Sequence, residues 1–194
     1  NLVHLIPPFQ IPIEDRLLDV ISLTLSGGKF QPPGSPNASQ QINPGLAKEY
    51  RDSMMSREGL CSDISEPELI VLALNILGSF NFKGPSLSEF VKNCVLHYID
   101  HSNPNVRKAA ALTASHIYGK DPICHQISAY ALKSTSQVIE KLLTFAVSDP
   151  VAQIRLEVLN SFDKSLDKHL SQAENVRMLF MTLNDESFPV REKA

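Results

Sequence analysis

His97 and His101 stand four residues apart, one helical turn, and are a first place to look for chemistry. On an α-helix such a pair shares a face and can hold a divalent metal when a third ligand and supporting hydrogen bonds converge on it. No HExxH run accompanies them, and Val95, Tyr98 and Ile99 already claim the apolar face of the stretch, so a solvated helix edge is expected there. Cys124 beside His125 offers a thiol and a base. Sequence neighbours seldom meet in the required geometry, and no acid stands by to orient the histidine. Arg107, Arg155 and Arg191 form a third series, able to bind an anionic partner, with a structural ladder along stacked helices as the simpler reading. The chain has no GxxxxGK loop, GxGxxG, HRD, DFG or GxSxG element. No catalytic, cofactor-binding or metal-binding residue is therefore expected.

The elements that position the arginines follow from the surrounding residues. In SDPVAQIRLEVLNSF (residues 148–162), Asp149 and Pro150 predict a helix start, with Asp149 as N-cap and Pro150 at the first helical position. Ile154, Val158, Leu159 and Phe162 then fall on one face, with Arg155 at its edge. The preceding run Val138, Ile139, Leu142, Leu143 and Ala146 predicts a second amphipathic helix, and the two can close as an antiparallel hairpin. The order Asp149, Pro150, Ile154, Arg155 resembles the inter-helix turn of a HEAT repeat, in which the arginine reaches toward the aspartate of a neighbouring repeat. Asp185, Val190 and Arg191 repeat the spacing 36 residues later, with the proline moved to Pro189. Val106 and Arg107 stand 48 residues earlier, with Pro104 nearby and His101 in place of the aspartate. Such intervals lie near the period of about 40 to 47 residues of helical repeats.

Along the chain, residues 1–28 read as the first helix of a repeat, with Ile13, Leu17, Val20, Ile21 and Thr24 on one stripe, Pro12 at its start and Gly27-Gly28 at its end. Residues 29–64 read as an exposed, partly disordered insertion rich in Pro, Gly and Ser, with a short helical piece near Leu46 to Met55. Ser65 and Glu68 form a capping box opening the second helix of that repeat over 65–78, apolar on more than one side. Ser86 and Glu89 form another, at the head of the stripe Leu87, Phe90, Val91, Cys94, Val95, Tyr98 and Ile99. With Val106, Ala110, Thr113, Ala114 and Ile117 this makes a repeat over 86–118; a further one spans 128–163 and a truncated one 164–194. In the last, Leu166 and Leu170 dock through a short turn, and Val176, Leu179, Phe180 and Leu183 mark a first helix. Strand alternation is rare, so an all-α solenoid of antiparallel helix pairs, a right-handed superhelix, is expected.

Bulk composition agrees with that architecture. Across 194 residues, 43% hydrophobic content supplies core material, and a net charge of −3 gives no footprint for nucleic acid or an anionic membrane. Cys61, Cys94 and Cys124 are odd in number and widely spaced, which fits packing residues in a reducing compartment. No apolar run approaches the roughly 20 residues that span a bilayer. A soluble piece of a longer solenoid is expected.

Several polar strings go beyond what helix periodicity requires. LGSF (residues 77–80), HLSQAENV (169–176) and LNDESFPVRE (183–192), with RLLDVISLTL (16–25), resemble the N-terminal HEAT arm of the target of rapamycin (TOR) kinases. The likeness covers most of the chain outside residues 29–63. It implies a scaffold segment of a large serine/threonine protein kinase of the phosphatidylinositol-kinase-related group, which controls growth in response to nutrients. It implies Raptor-type or Rictor-type subunits and a second TOR protomer as partners, and a cytoplasmic protein recruited to lysosomal or vacuolar surfaces. ATP and Mg²⁺ belong, on this resemblance, to a kinase domain outside these residues. The alternative is a HEAT or armadillo scaffold of another kind, such as a transport receptor or phosphatase scaffold.

Overall fold

A computed structural model describes residues 7–31, 42–56, 64–79, 86–120 and 129–193, and among these there is helix, turn and connection but no strand. The fold is all-α. Two compact units divide it, Asn1–Cys94 and Val95–Ala194.

The first unit holds α1 (Pro7–Ser26), α2 (Pro44–Met55), α3 (Glu66–Ser79) and α4 (Ser86–Asn93). Helix α1 packs against both α2 and α3, and this double contact sets its buried arc. Ile21 and Thr24 are inside, together with Leu18 and Leu25, but Val20 is 39% exposed and Leu17 half-buried. The expected stripe is thus rotated, and the helix starts at Pro7 rather than Pro12. It ends at Gly27, whose φ of 79° is the left-handed conformation that releases a chain from a helix. A Cβ at Gly27 would lie 2.6 Å from the Ala47 backbone nitrogen, so glycine also lets α2 approach.

Helix α2 is the short helical piece expected near Leu46 to Met55 within residues 29–64, and it packs on α1 and α3 through one side while most of its residues stay exposed. Asn43 caps it by accepting the Leu46 N–H, and Pro44 starts the helix rather than breaking it. Its Ala47 and Arg51 are buried. The Arg51 guanidinium donates to Glu66 Oε1 at 2.8 and 3.0 Å and to the Thr24 carbonyl at 2.8 Å, tying the end of α1 to the start of α3. The remainder of that stretch, 32–41 and 57–63 with Cys61, lies outside the described residues.

At the head of α3 the Ser65 N–H and hydroxyl both donate to Glu68 Oε2. The serine hydroxyl bond, with the backbone bond behind it, holds the Glu68 carboxyl below its ordinary pKa. Leu69, Ile70, Ala73, Leu74 and Leu77 are buried while Leu72 faces solvent. On α4, Leu87, Phe90 and Val91 are buried, and Phe30 meets Phe90 edge-on with centroids 5.7 Å apart. The Ser86 side chain lies outside the description.

The second unit begins by rewinding. Helix α4 stops at Asn93, Cys94 is a turn, and Val95–Asp100 is a 3₁₀ segment, not the continuation of an α-helical stripe to Ile99. Three residues per turn bring Leu96 in beside Val95 and Ile99. Helices α5 (Pro104–Lys120), α6 (Ala129–Ser148), α7 (Ala152–Ser161), α8 (Asp167–Leu170), α9 (Ala173–Thr182) and α10 (Phe188–Lys193) follow. The 3₁₀ segment packs on α5, α5 on α7, α6 on α7 and α9, and α7 on α10. Successive helix pairs thus lean on one another within this unit. The expected faces are buried: Val106, Ala110 and Ala114 on α5; Val138, Ile139, Leu142 and Leu143 on α6; Ile154, Val158 and Leu159 on α7. Leu166 joins Ile139 and Leu143 in a closed core, with Leu170, Phe162, Met178 and Leu179 packed against it. Phe180, expected inside, is 62% exposed, and Leu183 is exposed as well. Among the described residues no helix is long and apolar enough to cross a membrane.

Candidate functional site

Three turns, those ahead of α5, α7 and α10, share one geometry. The residues that open them are His101, Asp149 and Asp185, and each accepts the N–H two positions on: Asn103 to His101 Nδ1 at 3.0 Å, Val151 to Asp149 Oδ1 at 2.8 Å, Ser187 to Asp185 Oδ1 at 2.8 Å. In each case the helix begins three residues after the acceptor, at Pro104, Ala152 and Phe188. The fifth position is a buried aliphatic, Val106, Ile154 or Val190. The sixth is Arg107, Arg155 or Arg191, whose Nη1 donates back to the opening residue's carbonyl at 3.1, 2.6 and 2.6 Å respectively. Each arginine therefore closes its own turn.

This geometry corrects the assignment of Asp149 as a helix N-cap. Val151, extended at φ −98° and ψ 109°, is the N-cap, with no side-chain cap bond. Pro150 has no N–H to offer, so the Asp149 carboxylate takes the first available one at Val151 and forms an Asx-turn. Pro150 and Pro104 are exposed. Arg155, expected at the edge of its helix face, is buried.

The remaining arginine nitrogens reach across to the next turn. Arg107 Nε donates to Asp149 Oδ2 at 2.8 Å, and Arg155 donates from Nε and Nη2 to the two oxygens of Asp185 at 2.7 and 2.8 Å. Glu186, largely exposed, adds a longer bond to Arg155 at 3.2 Å. Both side chains of the Arg155–Asp185 pair are only 6% exposed. Hydrogen bonding to Arg155, with its positive charge behind it, holds the Asp185 carboxyl below the usual aspartate pKa despite burial, and the same bond raises Arg155. Arg191 closes its own turn and lies over the Phe188 ring at 5.7 Å. More accessible pairs, Lys108–Glu157 at 3.2 Å and Lys141–Asp100 at 3.3 Å, add little by comparison.

Asp149→Ala is expected to cost about 2 kcal/mol through charge-assisted bonds to Arg107 and Val151, not through a lost cap. Asp149→Asn, which can keep the turn bond, should recover part of that loss. Urea unfolding of the two variants checks this; equal stability of wild type and alanine variant would mean that Arg107 needs no carboxylate.

The candidate chemical residues separate in space or in kind. His97 is exposed at the 3₁₀ segment and His101 follows its end. Because a 3₁₀ segment turns about 120° per residue, positions four apart no longer share a face. His101 Nδ1 is engaged by Asn103, and its ring leans on Tyr98 with centroids 6.3 Å apart. No group of three potential ligands that could hold a metal occurs among the described residues. Burial pushes the Cys94 thiol up to about 12, so it is not a thiolate near neutrality. Cys124 and His125 lie outside the described residues. What the described residues build is a set of rigid turns joined by charge. Sequence reasoning placed His101 where the other two turns carry aspartate but did not read it as an acceptor, a role its imidazole Nδ1 fills in the same way.

No family model matches the chain. It is 37% identical over 189 residues to serine/threonine-protein kinase tor1 of Schizosaccharomyces pombe and 38% over 191 residues to serine/threonine-protein kinase TOR2 of Saccharomyces cerevisiae, in each case covering 97% of this chain. Serine/threonine-protein kinase TOR of Arabidopsis thaliana is 32% identical over 200 residues. The chain spans about 8% of the length of each of these relatives. Similarity of this extent, sustained over nearly every residue, makes the chain a segment belonging to the target of rapamycin family.

Proposed function

We propose that this stretch is a non-catalytic scaffold segment of a TOR-type serine/threonine protein kinase that controls growth in response to nutrients. The observation that carries the reading is the pair of cross-turn bonds, Arg107 to Asp149 and Arg155 to Asp185, which lock one helix pair to the next. Helix pairs locked in register present a long surface whose shape is a sum of small steps between neighbours, suited to holding large subunits. Its partners are Raptor-type or Rictor-type subunits and a second TOR protomer, in the cytoplasm and on lysosomal or vacuolar surfaces. ATP and Mg²⁺ are handled elsewhere in the full-length protein. A transport receptor or phosphatase scaffold is the weaker reading, since relatives matching nearly the whole chain carry the TOR name.

The test is to reverse the charge at Arg155 in the full-length protein with Arg155→Glu, which sets like charges against Asp185 and Glu186. Recovery of the Raptor-type or Rictor-type subunit with the kinase should fall severalfold, while phosphorylation of a short peptide persists. Undiminished recovery of both subunits and of the dimer would overturn the scaffold role.

A further inference from the structure

The turn ahead of α5 is built like the other two except for the chemistry of its opening residue. Asp149 and Asp185 each offer a carboxylate, which accepts the N–H two positions on and an arginine as well. His101 offers an imidazole, and a neutral imidazole has a single acceptor nitrogen. Here that nitrogen is Nδ1, taken by the Asn103 N–H at 3.0 Å. A proton on Nδ1 converts the acceptor into a donor, so the bond exists only while His101 is uncharged.

The start of α5 hangs on this bond. Asn103 accepts the Asn105 N–H on its Oδ1 at 2.9 Å and the Arg107 N–H on its carbonyl at 3.2 Å. Arg107 in turn closes on the His101 and Ser102 carbonyls and gives Nε to Asp149. A charged imidazole would both free Asn103 and add positive charge to the turn that the Arg107 guanidinium already fills. The carboxylates of the surrounding elements are committed: Asp100 of the 3₁₀ segment to Lys141 of α6, Asp149 to Arg107 and Val151, and Glu157 of α7 to Lys108 of α5. Of the other titratable groups on the 3₁₀ segment, His97 is exposed and Tyr98 presents its ring to His101.

We propose that His101 makes the turn ahead of α5 a pH-sensitive joint: protonation of its imidazole releases Asn103, loosens the first turn of α5 and weakens the hold of Arg107 on Asp149. The aspartate-opened turns ahead of α7 and α10 stay closed under the same conditions. Histidine is the side chain whose charge ordinarily changes between about pH 5 and 8, so one joint of the three responds there. This property belongs to the turn itself and goes beyond the scaffold role proposed above.

Hydrogen-deuterium exchange of the full-length protein tests it, read by mass spectrometry over residues 103–107 and referred at each pH to an unstructured peptide of the same sequence. Protection of these amides should fall about threefold to tenfold between about pH 8 and about pH 5, the factor that one hydrogen bond of ordinary strength is worth. Protection of the Ser187 amide, held by Asp185, should not change. In His101→Asp the protection over 103–107 should persist across the whole range, and in His101→Ala it should be low at both ends. Wild-type protection that does not fall would overturn the proposal, as would an equal fall in His101→Asp or full protection in His101→Ala. A fall shared by Ser187 would also overturn it, since the loosening would then belong to the whole fold and not to His101.

Discussion

Phe90→Ala is expected to lower the unfolding free energy by about 3 to 5 kcal/mol, the range for emptying a buried aromatic site. Phe90 is 8% exposed on α4, between buried Leu87 and Val91, with the edge of the Phe30 ring against it. Truncation removes a large apolar surface and leaves a void; it also removes an aromatic pair, which adds about 0.5 to 1.5 kcal/mol beyond burial. Phe90→Leu keeps apolar volume and should lose markedly less. Urea unfolding with the slope unchanged is the measurement. A loss below about 1 kcal/mol would mean that the α4 face is turned outward, against the buried Leu87, Phe90 and Val91.

The parts of this fold that could be read from sequence are those where one residue type has one physical use. Gly27 ends α1 because only glycine takes its φ of 79° without strain, and the Ser65 and Glu68 pair opens α3 because serine and glutamate at that spacing satisfy each other. Helix α2 was half hidden: prolines and glycines on its flanks read as a breaker run, although Pro44 sits where a helix tolerates proline best. The rewinding at Cys94 could not be read at all, since Leu96 and Ile99 suit a 3₁₀ face and Val95 and Ile99 suit an α-helical one equally well. At the turns, the spacing of aspartate, aliphatic residue and arginine was legible, but the role of Asp149 was not. A carboxylate bonded to a backbone N–H serves an N-cap or an Asx-turn alike, and only the extended backbone at Val151 separates them.

The Arg155–Asp185 pair carries the second large effect. Asp185→Ala is expected to cost about 3 to 5 kcal/mol, because it strands a buried guanidinium and also removes the Ser187 turn bond. Glu186 reaches Arg155 at 3.2 Å and should hold the loss toward the lower end. Acid sensitivity gives an independent check. Since Arg155 holds the folded Asp185 carboxyl below its unfolded value of about 3.9, the pair's contribution is complete above that pH and disappears as pH falls through the lower folded value. Asp185→Asn removes this titration, so its deficit against wild type should be constant near neutrality and shrink below about pH 4. Urea midpoints for both chains across that range decide the matter. A deficit that stays constant down to about pH 2 would show that the charge between the helix pairs contributes nothing.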